Sequence, residues 1–175
     1  SNALVANTTG ANNVAMGCGA MLTNTTGAEN VTVGNSALCA NTEGTNNTAL
    51  GHLALRANTT ADNNTAVGMS ALTANTTGHS NVAVGQGALD ANTEANQNTA
   101  IGTDALTTST TGASNTAVGH DALKLTTTGG QNNAFGDGTM DANTTGCRNV
   151  AMGNGAMTKN TEGICNTALG HITLQ

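Results

Sequence analysis

The stretch Asn115-Thr116-Ala117-Val118-Gly119 recurs along the whole chain at a spacing of 17 residues without a slip. Its ten leading asparagines are Asn13, Asn30, Asn47, Asn64, Asn81, Asn98, Asn115, Asn132, Asn149 and Asn166. Each coil is numbered here from its Asn as position 0. A fixed period over so many copies specifies a solenoid, in which each unit packs only on its neighbours.

Around that stretch the coil has a definite grammar. Position 4 is Gly throughout, from Gly17 to Gly170. Such a Gly marks positive φ or close packing. Position 3 is always large and apolar (Met16, Val84 and Phe135 among them), and so is position 8, for instance Leu38, Leu89 and Met157. Position 1 is Val or Thr, with Asn133 the exception. Position 2 is Ala except at Thr32, and position 7 is Ala except at Thr139 and Thr173. Neighbours in a strand point to opposite faces. Positions 1, 3 and 8 are therefore expected inside, and the Ala rows outside. On that assignment Val84→Asp should disrupt packing severely, and Glu94→Ala should change little.

The coil closes through segments such as Asn75-Thr76-Thr77-Gly78. Position 12 is Thr in every coil that contains it. Position 11 is Asn, replaced by Ser109 and Thr126, and position 14 is Gly, replaced by Ala61 and Ala95. This is turn chemistry, with Gly for φ > 0 and Asn and Thr for bonds to backbone. The reading is strand at positions 0–3, turn at 4–5, strand at 6–9, then a longer turn. Recurrent Gly, Asn and β-branched residues argue against helix, including over 54–57 and 71–74. The fold class is all-β, a parallel β-solenoid of ten 17-residue coils in one domain, 4–175. Stacking at about 4.8 Å makes a rod about 45–50 Å long. The position-0 asparagines should form a structural ladder of amides up the rod. Ser1-Asn2-Ala3 has the look of an expression scar.

Composition excludes several functions. The net charge is −6, and the four basic residues, Arg56, Lys124, Arg148 and Lys159, do not cluster, so no nucleic-acid surface is expected. No apolar run is long enough to span a membrane, and no membrane contact is expected. Cys18, Cys39, Cys147 and Cys165 occupy unrelated coil positions without metal spacing; they read as free thiols, although Cys147 and Cys165 lie about one coil apart. His52, His120 and His171 share position 5 but stand at least three coils apart, too far for a common metal within one chain. No nucleophile, paired-carboxylate, phosphate-loop or calcium-repeat arrangement appears. No catalytic residue, metal or cofactor is assigned, and the chain is read as non-enzymatic.

Each coil offers only two large apolar residues, a thin core. Uncharged Ala on a strand face would let another chain approach closely. The row Ala15, Ala49, Ala66, Ala83, Ala100, Ala117, Ala134, Ala151 and Ala168 is the candidate packing row of a homotrimer.

Asn-Val-Ala-Met-Gly, at 13–17 and 149–153, and Asn-Thr-Ala-Val-Gly resemble the head repeat of YadA-like trimeric autotransporter adhesins. The likeness is closest at Val14, Ala15, Met16 and Gly17, and at Val82, Ala83, Val84 and Gly85. It implies a left-handed parallel β-roll, three chains about one axis, and an extracellular or cell-surface location. It also implies attachment to host matrix, glycan or another surface. Family coils are shorter than the 17 residues kept here, and the added Asn-Thr-Thr-Gly turn resembles repeats of phage tail-fibre-like proteins. The expected function is thus a fibre or adhesin segment on a virion or bacterial surface. An ice-binding solenoid is the alternative, resting on the full Thr row at position 12. A polysaccharide-cleaving solenoid would need clustered carboxylates, and the acids are scattered.

Overall fold

A computed structural model describes residues 2–175. Ser1, part of the supposed scar, lies outside them. The period is realised as ten three-residue strands: β1 (Val14–Met16), β2 (Val31–Val33), β3 (Thr48–Leu50), β4 (Thr65–Val67), β5 (Val82–Val84), β6 (Thr99–Ile101), β7 (Thr116–Val118), β8 (Asn133–Phe135), β9 (Val150–Met152) and β10 (Thr167–Leu169). They form one sheet in chain order, every neighbouring pair parallel. Register is strict: Val82, Ala83 and Val84 pair with Thr99, Ala100 and Ile101, their equivalents one coil on. There is no helix among the described residues. Nine intervals of about 4.8 Å set β1 and β10 about 43 Å apart.

The faces of the strand are the reverse of those expected. At position 2, Ala49, Ala66, Ala83, Ala100, Ala117, Ala134 and Ala151 are fully buried, Ala168 is nearly so and Ala15 is half-buried. The row read as an outer packing surface therefore lines the interior and is closed to another chain. Position 3 points outward: Val33 keeps 39% of its surface, Ile101 40% and Met152 50%. Val84, Val118 and Phe135 are half-buried. The expected damage from Val84→Asp thus belongs to Ala83 instead. The physical reason is width. A coil this short turns so tightly that facing walls leave room for a methyl from the strand, and the bulk of the core comes from position 8.

The second predicted strand, at 6–9, is absent. That segment is a run of turns, although it still bonds to its neighbours: the Met21 N–H donates to the Ala37 carbonyl at 3.1 Å and the Leu89 N–H to the Ala105 carbonyl at 3.0 Å. Positions 6 and 8 both have left-handed backbone, as at Asp104 (φ 55) and Leu106 (φ 53). Two left-handed residues so close together bend the chain and prevent an extended run. They also turn positions 7 and 8 inward together, so Ala88 and Leu89 are both fully buried. Left-handed backbone costs about 1–2 kcal/mol in a residue with a Cβ, and full burial of a Leu or Met contributes about 1.5–3 kcal/mol. Row 8 holds only Leu and Met, never Val, Ile or Thr. β-Branched residues tolerate positive φ least.

Candidate interaction surface

The interior beside the apolar wall is polar and is closed by two amide ladders. In the first, the backbone N–H of each position-0 Asn from Asn30 to Asn166 donates to Oδ1 of the Asn one coil before, at 2.9–3.0 Å. Nδ2 of Asn13 through Asn149 donates to the position-14 carbonyl of the same coil, at 2.7–2.9 Å. Sequence reasoning did not find the second ladder, at position 11. There Nδ2 of Asn24, Asn41, Asn58, Asn75 and Asn92 donates to Oδ1 of the preceding Asn at 2.7–3.0 Å. The same nitrogens also reach the position-14 carbonyl, at 2.9 Å from Asn24 to Gly27 and 2.8 Å from Asn75 to Gly78. Both lone pairs of that carbonyl are thereby filled from two sides. Except for Asn13 and Asn166 at the two ends, these asparagines are buried, and a buried amide left unpaired would cost about 1–3 kcal/mol. Asn24, which heads a glycosylation-type Asn-Thr-Thr, is fully buried within this network.

The position-12 threonines are engaged too. The Thr25 hydroxyl donates to the Thr42 carbonyl at 2.9 Å, and the Thr25, Thr26 and Gly27 N–H groups converge on that same oxygen at 2.9, 3.0 and 3.2 Å. The pattern repeats at Thr76, whose hydroxyl donates to Thr93 at 3.0 Å. An invariant Thr here holds one coil to the next through its backbone.

The outer wall carries the charged and reactive side chains. On the position-5 edge, His120 Nδ1 lies 3.0 Å from Asp137 Oδ1, and Asn154 Nδ2 donates to Asp137 Oδ2 at 3.0 Å. Farther along, His171 Nδ1 lies 3.1 Å from the Asn154 carbonyl. Lys124 Nζ is 3.0 Å from Asp121 and 4.0 Å from Asp104. The Asp121 hydrogen bond raises the Lys124 ammonium above 10.5, its ordinary value. Among the described residues no three His, Cys, Asp or Glu side chains are placed to hold a metal ion. All four cysteines are free; Cys18 and Cys165 are exposed, and Cys39 and Cys147 are half-buried.

Asp90 gives a pH-dependent prediction. Burial pushes its carboxyl above 3.8, a Thr73 hydroxyl bond pulls part of the way back, and the nearby charge of Asp104 pushes it up again. The folded rod then holds that proton more tightly than the unfolded chain does. Its ionisation costs stability above the folded pKa, and the cost vanishes below 3.8. Asp90→Asn should raise the melting temperature at about pH 7 and leave it unchanged at about pH 3. Melts of both proteins at the two pH values check this, and a gain persisting in acid would contradict it.

One surface stands apart from these polar edges. Rows 1 and 3, the outward side chains of β1–β10, are twenty residues without a single charge. Thr or Val, with Asn133 in β8 the one exception, alternates with Val, Leu, Ile, Met or Phe across the strands, and every strand is in register with the next. The stripe runs the full length of the sheet. No family model matches the chain, and neither the curated proteins nor the solved structures contain a match to it.

Proposed function

We propose that the chain is a non-enzymatic rod segment of a fibre or adhesin, displayed outside the cell or on a virion and assembled as a parallel homotrimer. One observation carries the reading: the uncharged stripe of rows 1 and 3, apolar throughout row 3, along about 43 Å of the rod. This stripe replaces the buried Ala row as the contact between chains. Its two rows differ: row 1 is Val or Thr with Asn133, and row 3 is wholly apolar, Val or larger. Row 3 of one copy against row 1 of the next is a heterologous contact, which closes when three copies complete a ring. Parallel alignment keeps the coils level, so each contact repeats at every coil. A rod built this way lengthens by whole coils and needs no active site to hold a distal tip away from a surface.

Light scattering at dilute concentration should give three times the chain mass. Val84→Glu combined with Val118→Glu should give a folded monomer with unchanged circular dichroism. A wild-type monomer would end the reading, and a dimer would keep the stripe but reject the threefold ring. Binding of the trimer to glycans, matrix proteins or whole cells tests attachment.

A second reading, ice binding, is favoured by the same stripe. The position-12 hydroxyls are engaged with backbone, but row 1 carries outward threonines at Thr48, Thr65, Thr99, Thr116 and Thr167 beside an apolar row. Thermal hysteresis in the purified protein decides it.

A further inference from the structure

The position-11 ladder is interrupted at Ser109 and Thr126. Elsewhere an Asn Nδ2 satisfies the carboxamide oxygen of the coil before it. Asn92 Oδ1 has no such donor: it is buried, and no hydrogen bond reaches it. The residue that should supply the donor is Ser109, also fully buried. Its hydroxyl donates at 3.4 Å, a long bond, to the Gly112 carbonyl in its own coil. In the intact coils that carbonyl position receives the Asn nitrogen at 2.8 Å (Asn75 to Gly78) or 2.9 Å (Asn24 to Gly27). Ser in place of Asn removes two heavy atoms from the interior, space on the scale of one water molecule. Asn92 Oδ1 and the Gly112 carbonyl, the two acceptors an Asn at position 109 would serve, remain there.

We propose that a single internal water occupies the place of the missing amide nitrogen beside Ser109. It donates one hydrogen to Asn92 Oδ1, as an Asn Nδ2 would, and the other to the Gly112 carbonyl. It accepts from the Ser109 hydroxyl, which turns away from its long bond. The water then makes three hydrogen bonds, the usual number for a buried water, and removes the orphaned acceptor. A carboxamide oxygen left without a donor in an interior this narrow is costly, and a bridging water restores its hydrogen bond for no more than the entropy of immobilising one molecule. Only water fits: the place admits about two heavy atoms and asks for two donors and one acceptor. The neighbouring Thr126 keeps an extra carbon, and its Oγ1 accepts from Asn143 Nδ2 at 3.3 Å, so the break there is partly bridged by protein.

The test is water–protein magnetisation transfer by NMR on the labelled full chain. Wild-type protein should show cross-peaks from a long-lived water to protons of residues 109–112 and to the Asn92 side chain. Ser109→Asn restores the ladder, so it should lose those cross-peaks and gain a protected side-chain amide at position 109. Ser109→Ala keeps the space and two of the three water partners, and should retain the water with a shorter residence time. Wild-type protein without long-lived water at these residues would overturn the proposal. So would cross-peaks that survive in Ser109→Asn. If Ser109→Asn fails to fold, the wild-type spectrum alone decides the matter.

Discussion

Ala83→Asp should lower the melting temperature by roughly 10–20 °C, and Val84→Asp, one residue farther on, should move it by only a few degrees. Ala83 sits in β5 with no exposed surface, in register between Ala66 and Ala100, both equally buried. A carboxylate there has no cation to face and no room to turn toward solvent. Burying such a charge unpaired costs several kcal/mol. Val84 points the other way and is half-buried on the outward face. A carboxylate there stays in water and gives up only a small contact with Val67 and Ile101, its in-register neighbours. Circular dichroism melts at low protein concentration separate the two effects, because the outward substitution would otherwise also act on contacts between chains. Similar melting temperatures, or a larger loss for Val84→Asp, would invalidate the face assignment.

That pair of residues also shows how far the sequence could be read. The period, the parallel stacking, a strand read at positions 0–3 and found at 1–3, and the first Asn row follow from strict repetition, because only an in-register stack makes equal positions meet. Which face is inside did not follow from hydrophobicity. Large residues at position 3 looked like core, yet that row ranges from Val67 to Phe135, whereas row 2 is Ala nine times in ten. An interior so narrow tolerates one size, and an open face tolerates many. The constancy of Ala was therefore the signal of burial, and the varied size of row 3 the signal of exposure. Row 8 carried a subtler mark. Its restriction to Leu and Met fits full burial on left-handed backbone, and that backbone is also what removes the second strand. The second Asn ladder was read as turn chemistry. Asn75 does bond within its turn, to Gly78, but its nitrogen is shared with Asn58 Oδ1 one coil away at 3.0 Å. A turn motif in sequence cannot reveal such a bond until the coils are stacked.

Gly85→Ala should destabilise the rod by about 3–5 kcal/mol, and Gly138→Ala by about 1 kcal/mol. Both glycines have positive φ, +136 at Gly85 and +60 at Gly138, so both substitutions carry a backbone cost. What separates them is space. A Cβ on Gly85 would lie 2.5 Å from the Gly102 carbonyl oxygen and 2.6 Å from its carbon, and backbone cannot rotate away as a side chain can. The Gly85 N–H also donates to the Val67 carbonyl at 2.8 Å, so shifting Gly85 to relieve one coil strains its bond to the other. The clash is thus fixed from both sides, and the same approach accounts for Gly at position 4 in the nine coils from Gly17 to Gly153. A Cβ on Gly138 meets nothing within 4 Å. Row 6 accepts Ser70, Asp104 and Asp121 at φ 59, 55 and 57, which shows that side chains fit this backbone when space is open. Chemical denaturation of the two variants against wild type measures both costs, and hydrogen exchange places the loss at the coils flanking residue 85. Equal destabilisation by the two substitutions would mean that positive φ alone, rather than the approach of the next coil's carbonyl, keeps Gly at position 4.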